Sequence, residues 1–249
     1  MSLPRKFADQ ATPLQQSGAA GQALECDGEV FRGGGGDYLD GLLEVQPGPE
    51  QALDNWLDAE GWATQIPLPG YRVERADGDR VLLSFDVDGR TKIAVITADA
   101  IRDYQGDDWW GVESWSMCDP SELPAPVTED LNWGVWADAT GDRVPVTRIV
   151  SYRGSEHCDW QELTFVSTGS EGHGPQYVRD VHGELSRWLT TTYDADAALL
   201  DTATDTGLRR DGRQLWIDVY PRAAYLVSIV DPTDVERWPA AAKDPIGCA

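Results

Sequence analysis

The sequence predicts an α+β fold of two tandem, diverged repeats, each an antiparallel β-meander with at most one or two helices and one internal disulfide. Three observations carry that expectation. The four cysteines are spaced almost symmetrically, 92 positions from Cys26 to Cys118 and 90 from Cys158 to Cys248. The segments around them answer one another in the same order along the chain, which is how an internal repeat shows itself. Short runs of β-branched and aromatic residues are punctuated by Asp-Gly pairs, the strongest local signal for a hairpin.

The first repeat opens with "ECDGEVF" from Glu25 and the second with "HCDWQELTF" from His157, so that Phe31 answers to Phe165. Further along, Gly70 pairs with Gly207, the Asp77-Gly78 turn with Asp211-Gly212, and Arg80 with Arg213. Near the ends, "VESWSMC" from Val112 faces "VERWPAAAKDPIGC" from Val235, which sets Glu113 against Glu236. The expected organisation is a small, polar tether over 1–23, a first repeat over 24–120, a Pro-rich linker over 121–131 and a β-rich second repeat over 132–249. The pseudo-symmetry ranks Cys26 with Cys118 and Cys158 with Cys248 first among the three connectivities four cysteines allow.

Within the first repeat, "GPEQALDNWLDAEG" reads as a helix. Pro49 suits its first position, Glu50 complements the dipole and Gly61 suits the stop. Ala52, Leu53, Trp56 and Leu57 form one apolar stripe that needs a sheet to pack on. The runs "YRVER", "VLLSFDV" and "KIAVIT" follow as strands, and "QLWIDV" and "AAYLVSIV" match them in the second repeat. "NWGVWADATGDRVPVTRIVSYRG" reads as a further hairpin that the first repeat lacks, while "GELSRWLTTTYDADAALL" gives no clear helix.

Composition narrows the function classes. The chain carries 43 acidic against 20 basic groups, a formal charge of −23, and only three of its cations are lysines, Lys6, Lys92 and Lys243. Such a surface repels phosphate backbones, so nucleic acid is excluded as a partner. No run approaches the roughly 20 apolar residues of a membrane span. Disulfides persist in oxidising compartments, so the cysteine pattern places the chain outside the cytoplasm or on the cell surface.

Candidate sites are few. The copies differ at Trp109 and Trp110 in one and at His157, Trp160, His173 and His182 in the other. A ligand surface is therefore sought at Trp109, Trp110, His157 and Trp160. If "HCDWQELTF" is a strand, His157 and Cys158 point to opposite faces and form no base–nucleophile pair, whereas His157 and Asp159 share a face. Asp194, Asp196, Asp201 and Asp205 make an acidic loop that is the best cation candidate. "DVDGR" at Asp86 lacks the later ligands of a calcium loop, and "RGGGGDY" lacks the lysine of a phosphate-binding loop. No catalytic residue and no cofactor is assigned.

"EHCDWQELTF", "QYVRD", "DTGLRRDGRQLWI", "AAYLV" and "VERWPAAAKDPIGCA" together resemble a group of exported, often lipid-anchored proteins of high-GC Gram-positive bacteria. The resemblance covers residues 133–249 best and implies secretion, or a lipid anchor upstream as the sole tie to a membrane. It carries no catalytic residue across. Val181 and His182 stand where that pattern leads one to expect a proline turn. The expected function is a non-catalytic extracellular or cell-surface binding protein for a ligand or an envelope protein. The rival is a secreted hydrolase that uses carboxylates or a metal, and a third reading, an intracellular thiol protein, would return attention to Cys158.

Overall fold

The computed structural model describes residues 17–35, 46–59, 70–102, 108–169, 174–220, 222–243 and 246. The chain divides into two compact units, Met1–Val127 and Thr128–Ala249, a division that falls inside the Pro-rich stretch 121–131. The architecture is α+β and every strand pair is antiparallel.

The first unit is built on one five-stranded sheet. Its strands are β1 (Val30–Gly35), β2 (Tyr71–Asp77), β3 (Arg80–Val87), β4 (Arg90–Arg102) and β5 (Asp108–Cys118), in the spatial order β1-β5-β4-β3-β2. The turn between β3 and β4 uses Asp88 (φ 52°) and Gly89 (φ 77°), both left-handed, which matches the twist of the strands it joins. Side chains alternate along β4, so Ala94 and Ile96 meet one layer while Ile93 and Val95 meet the other, and all four are buried. Helix α2 (Pro49–Ala59) lies in the place its apolar stripe predicts: Trp56 meets Trp115 of β5, with ring centroids 6.3 Å apart.

Part of the expected tether is folded. Residues 19–23 form a short helix, α1 (Ala19–Ala23), packed on Leu82, Ala94 and Ile96 of the sheet. Small side chains allow this close approach, since Ala19 and Ala20 are buried on a face that also carries Ser84, Ser114 and Ser116. Ser114 Oγ donates to the Ser17 carbonyl at 3.1 Å. Residues 1–16 of the expected tether lie outside the described residues.

Cys26 and Cys118 are joined by a disulfide, which ties the segment before β1 to the end of β5. Beside it sits Lys92, whose ammonium donates to Glu122 (2.6 Å), the Glu25 carbonyl (2.9 Å) and Asp27 (3.1 Å). The lysine side chain is 4% exposed and that of Glu122 is 10% exposed, so this ion pair is a buried one.

The second unit holds two four-stranded sheets. One comprises β6 (Gly134–Val135), β7 (Ile149–Arg153), β8 (Thr164–Thr168) and β9 (Gln176–Arg179); the other comprises β10 (Thr204–Arg210), β11 (Arg213–Val219), β12 (Arg222–Ser228) and β13 (Val235–Pro239). Their outer strands meet. Ala137, just beyond β6, exchanges both backbone hydrogen bonds with Arg209 of β10, at 2.9 and 2.7 Å. On the other side Tyr177 of β9 bridges Ala240, just beyond β13. The eight strands therefore close into a ring in the order β6-β7-β8-β9-β13-β12-β11-β10. Where β9 and β13 diverge, residues 189–197 run along β13 through the pairs Leu189 with Ala241 and Asp194 with Arg237.

Side-chain parity defines an inside. Ile149, Val166, Tyr177, Leu208, Leu215, Ala224 and Trp238 come from both sheets and pack into one core. The alternate residues face out, where the segment 180–203 and its neighbours cover them: Leu185 and Leu189 pack with Phe165 and Val178, and Ala197 packs with Tyr225 and Val227.

Two sequence expectations need correcting. The two units are not copies of one architecture, because the first has one sheet flanked by helices and the second has two sheets. What recurs is a four-stranded meander, β2–β5 in one unit and β10–β13 in the other. Local matches between segments constrain strand pairing but not what covers the faces, and here α2 covers one meander while a second sheet covers the other. The second correction concerns "HCDWQELTF": Glu156–Cys158 is one turn of 3-10 helix, Asp159 is left-handed (φ 57°), and the strand starts only at Thr164. Cys158 is disulfide-bonded, and Cys248, its expected partner, lies outside the described residues.

Candidate functional site

The polar counterpart of the inner core lies at one end of the ring. On β7, Ile149 is followed on the same face by Ser151 and Arg153; on β9, Tyr177 by Arg179; on β10, Leu208 by Arg210. On β11 and β13, which run the opposite way, Arg213 precedes Leu215 and Glu236 precedes Trp238. Each polar residue sits two positions from an inward apolar one, or four in the case of Arg153, so all of them project into the same end. There they line a cavity of about 570 Å³, with Trp133, Trp136 and Trp238 among its walls.

Glu236 is the fixed centre of this cavity. Its carboxylate accepts from Trp238 Nε1 (2.9 Å), the Tyr193 hydroxyl (3.1 Å) and Arg179 Nε (3.3 Å), and it pairs with Arg213 at 3.3 Å. Burial, and next the charge of Glu236, raise the pKa of Tyr193 and so keep its phenol protonated as a donor. Arg213 is anchored further by the Leu226 carbonyl (3.0 Å) and by Asp234 (3.0 Å).

Arg153 and Arg210 are held differently. Asn132, at φ 59°, donates to the Arg153 carbonyl (3.0 Å) and accepts from its amide (2.9 Å), extending the β6–β7 ladder by side chain and fixing Arg153 at the rim. The Arg153 guanidinium makes no ion pair among the described residues. That of Arg210 reaches, among the described residues, only the carboxylate of Asp211, at 2.9 Å, whose side chain is 80% exposed. Arg210 lies over Gly134, where an added Cβ would fall 1.8 Å from its Nη1 and 2.7 Å from Ser151 Cβ. A glycine is therefore required for the arginine to occupy that place. Below it, Trp136 Nε1 donates to Ser151 Oγ at 2.8 Å inside the core.

The residues singled out from sequence are not brought together here. Trp109 and Trp110 belong to β5 of the first unit; the Trp109 side chain lies outside the described residues, and Trp110 is half-buried. His157 and Asp159 are exposed in their turn, and Trp160 packs against Phe165 and Trp188 as part of an outer core cluster. His173 lies outside the described residues. The acidic loop is committed to its own backbone: Asp194 pairs with Arg237 and accepts from the Asp196 amide, and Asp205 accepts from the Gly207 amide and Gln214. Asp196 and Asp201 are exposed. Among the described residues, the one cluster of metal-ligand types is Cys26, Cys118 and Glu122, and its two sulfurs are consumed by the disulfide.

Sequence reasoning missed the four arginines. A signal was present, because an arginine at core-facing parity on a strand end is unusual, and it recurs at "IVSYR", "YVR", "LRR" and "RQL".

Fold and site together define an antiparallel β-ring with an arginine- and tryptophan-lined cavity at one end. No known family model matches the chain, and no curated protein or solved structure is significantly similar to it.

Proposed function

We propose that the chain is a non-catalytic binding protein of the extracellular space or cell surface, and that its second unit takes a small organic molecule into the cavity of the ring. The observation that carries this reading is the division of the ring's interior into a filled apolar half and an open half of about 570 Å³, within the size range of small-molecule sites and walled by aromatic rings with a few convergent polar groups. The disulfide suits an oxidising compartment, and no helix among the described residues is long and apolar enough to cross a membrane. The resemblance to exported, lipid-anchored proteins supports the same location and supplies a means of attachment.

A tandem origin of the two meanders accords with a shared device. Arg80 pairs with Glu113 across β4 (2.7 Å), and the corresponding Arg213 pairs with Glu236 across β12 (3.3 Å). In the first unit the pair is nearly sealed from water, while in the second it is opened into a cavity wall. The hydrolase alternative is weaker, because the oxygens of Glu236 are already engaged by two arginines, a tyrosine and a tryptophan.

A fragment screen by nuclear magnetic resonance tests the reading. A subset of flat organic compounds is expected to shift the indole N–H signals of Trp136 and Trp238 and to leave that of Trp56 unmoved. A library that shifts none of them would overturn it, as would turnover of a glycoside or ester substrate that is lost in Glu236→Gln.

A further inference from the structure

Resting on that reading, we infer that the ligand is an organic monoanion, a flat or aromatic carboxylate, whose carboxylate is gripped by Arg153 and Arg210. The first support is charge economy. The molecule carries −23 overall, yet four guanidinium groups line one cavity, and those without a fixed counter-charge are open to an anion. Arg179 and Arg213 share Glu236, and Arg213 adds Asp234. Arg153 has no such partner among the described residues, and Arg210 has only the exposed Asp211.

The second support is valence. The lining carries Glu129, Asp211 and Glu236, and Asp234 reaches Arg213 from beside it, so four carboxylates already stand around the four arginines. In that setting a monoanion meets less repulsion than a phosphate monoester dianion does. The third support is shape. Guanidinium forks match the planar carboxylate in a two-point grip, and the half-buried indole of Trp133, with the edges of the nearly buried Trp136 and Trp238, offers an apolar wall for the body of the ligand. Gly134 acts as a positioning residue, since any side chain there takes the place of the Arg210 guanidinium.

The test is calorimetric titration of the full chain with 2-naphthoate, its neutral amide, the corresponding naphthylmethylamine, and naphthyl phosphate. Naphthoate is expected to bind at least tenfold more tightly than each of the other three. Arg153→Met and Arg210→Met should each weaken naphthoate about tenfold or more and leave the amide unchanged. Arg210→Lys, which keeps the charge but loses the fork, should fall between. Gly134→Ala should reproduce the Arg210→Met loss, and circular dichroism would confirm that every variant remains folded. Equal binding of carboxylate and amide would overturn the anion inference and leave the binding reading intact, and tighter binding of the phosphate would overturn the monoanion assignment. Failure of the whole naphthyl series while other neutral fragments shift the Trp136 and Trp238 signals would likewise defeat only the inference. Failure of both experiments would defeat the two together.

Discussion

Lys92 shows how much a single residue decides. Its ammonium is removed from water beside a disulfide and repaid by one buried and one exposed carboxylate, Glu122 and Asp27. Replacing it with methionine would fill the volume but strand Glu122, so Lys92→Met is expected to destabilise the first unit by about 3–5 kcal/mol. Arg90 also pairs with Asp27, but both side chains reach well into solvent, and Arg90→Met should cost much less than Lys92→Met. Chemical denaturation of the two variants checks the contrast, and equal losses would refute the burial argument. Neither the importance of Lys92 nor that of Gly134 was legible in the sequence. The surroundings of both are assembled from positions distant in the chain, Glu122 and Asp27 for one, Arg210 and Ser151 for the other. Asp88-Gly89 was legible, because the conformation it needs is local.

At the scale of elements, what could be read followed the same division. The meander strands, their turns and the helix from Pro49 follow from periodicity and capping, and each is found. The run at His157 misled because a β-like composition, "WQELTF", begins inside a turn that ends only before Thr164, and the left-handed Asp159 gives no warning in sequence. The arginine-lined cavity depends on strand ends from two sheets meeting at one end of a ring, and ring closure rests on long-range pairs such as Ala137 with Arg209. The disulfide from Cys26 to Cys118 spans 92 positions. A loop of that size is expected to stabilise its unit by about 4–5 kcal/mol through the unfolded chain's lost freedom. The Cys26→Ala, Cys118→Ala double variant should therefore melt at a distinctly lower temperature, and an unchanged melting curve would show that Lys92 and its carboxylates hold the end of β5 without it.

For the whole molecule, the acid excess works in two directions as pH changes. Between neutrality and the isoelectric point near 4.2, protonation relieves self-repulsion and should hold or raise stability. Below that, a second effect takes over. Asp138, Asp218 and Asp231 each have a pKa lowered from 3.8, first of all by the hydroxyls of Thr140, Thr202 and Thr233 respectively. They are more acidic folded than unfolded, so the stability they contribute is complete above about pH 3.8 and is lost as pH falls through their folded values. Melting temperature is thus expected to hold from pH 7 to about 4.5 and to drop below 4, with the drop shallower when all three are changed to asparagine. A steeper drop in that triple variant would contradict the assignment. The ring of the second unit has one more consequence at this scale. The bridges from Ala137 to Arg209 and from Tyr177 to Ala240 engage the outer strands of the two sheets with each other, which leaves less strand edge open to addition by a second chain, the route to fibres and swapped dimers. In the first unit β2, one of two edge strands with β1, carries Arg72, Glu74, Arg75 and Asp77 along its length, a charged fringe that discourages the same misassociation at that edge. A partner approaching the β2 edge would therefore have to be chosen by its side chains rather than by its backbone.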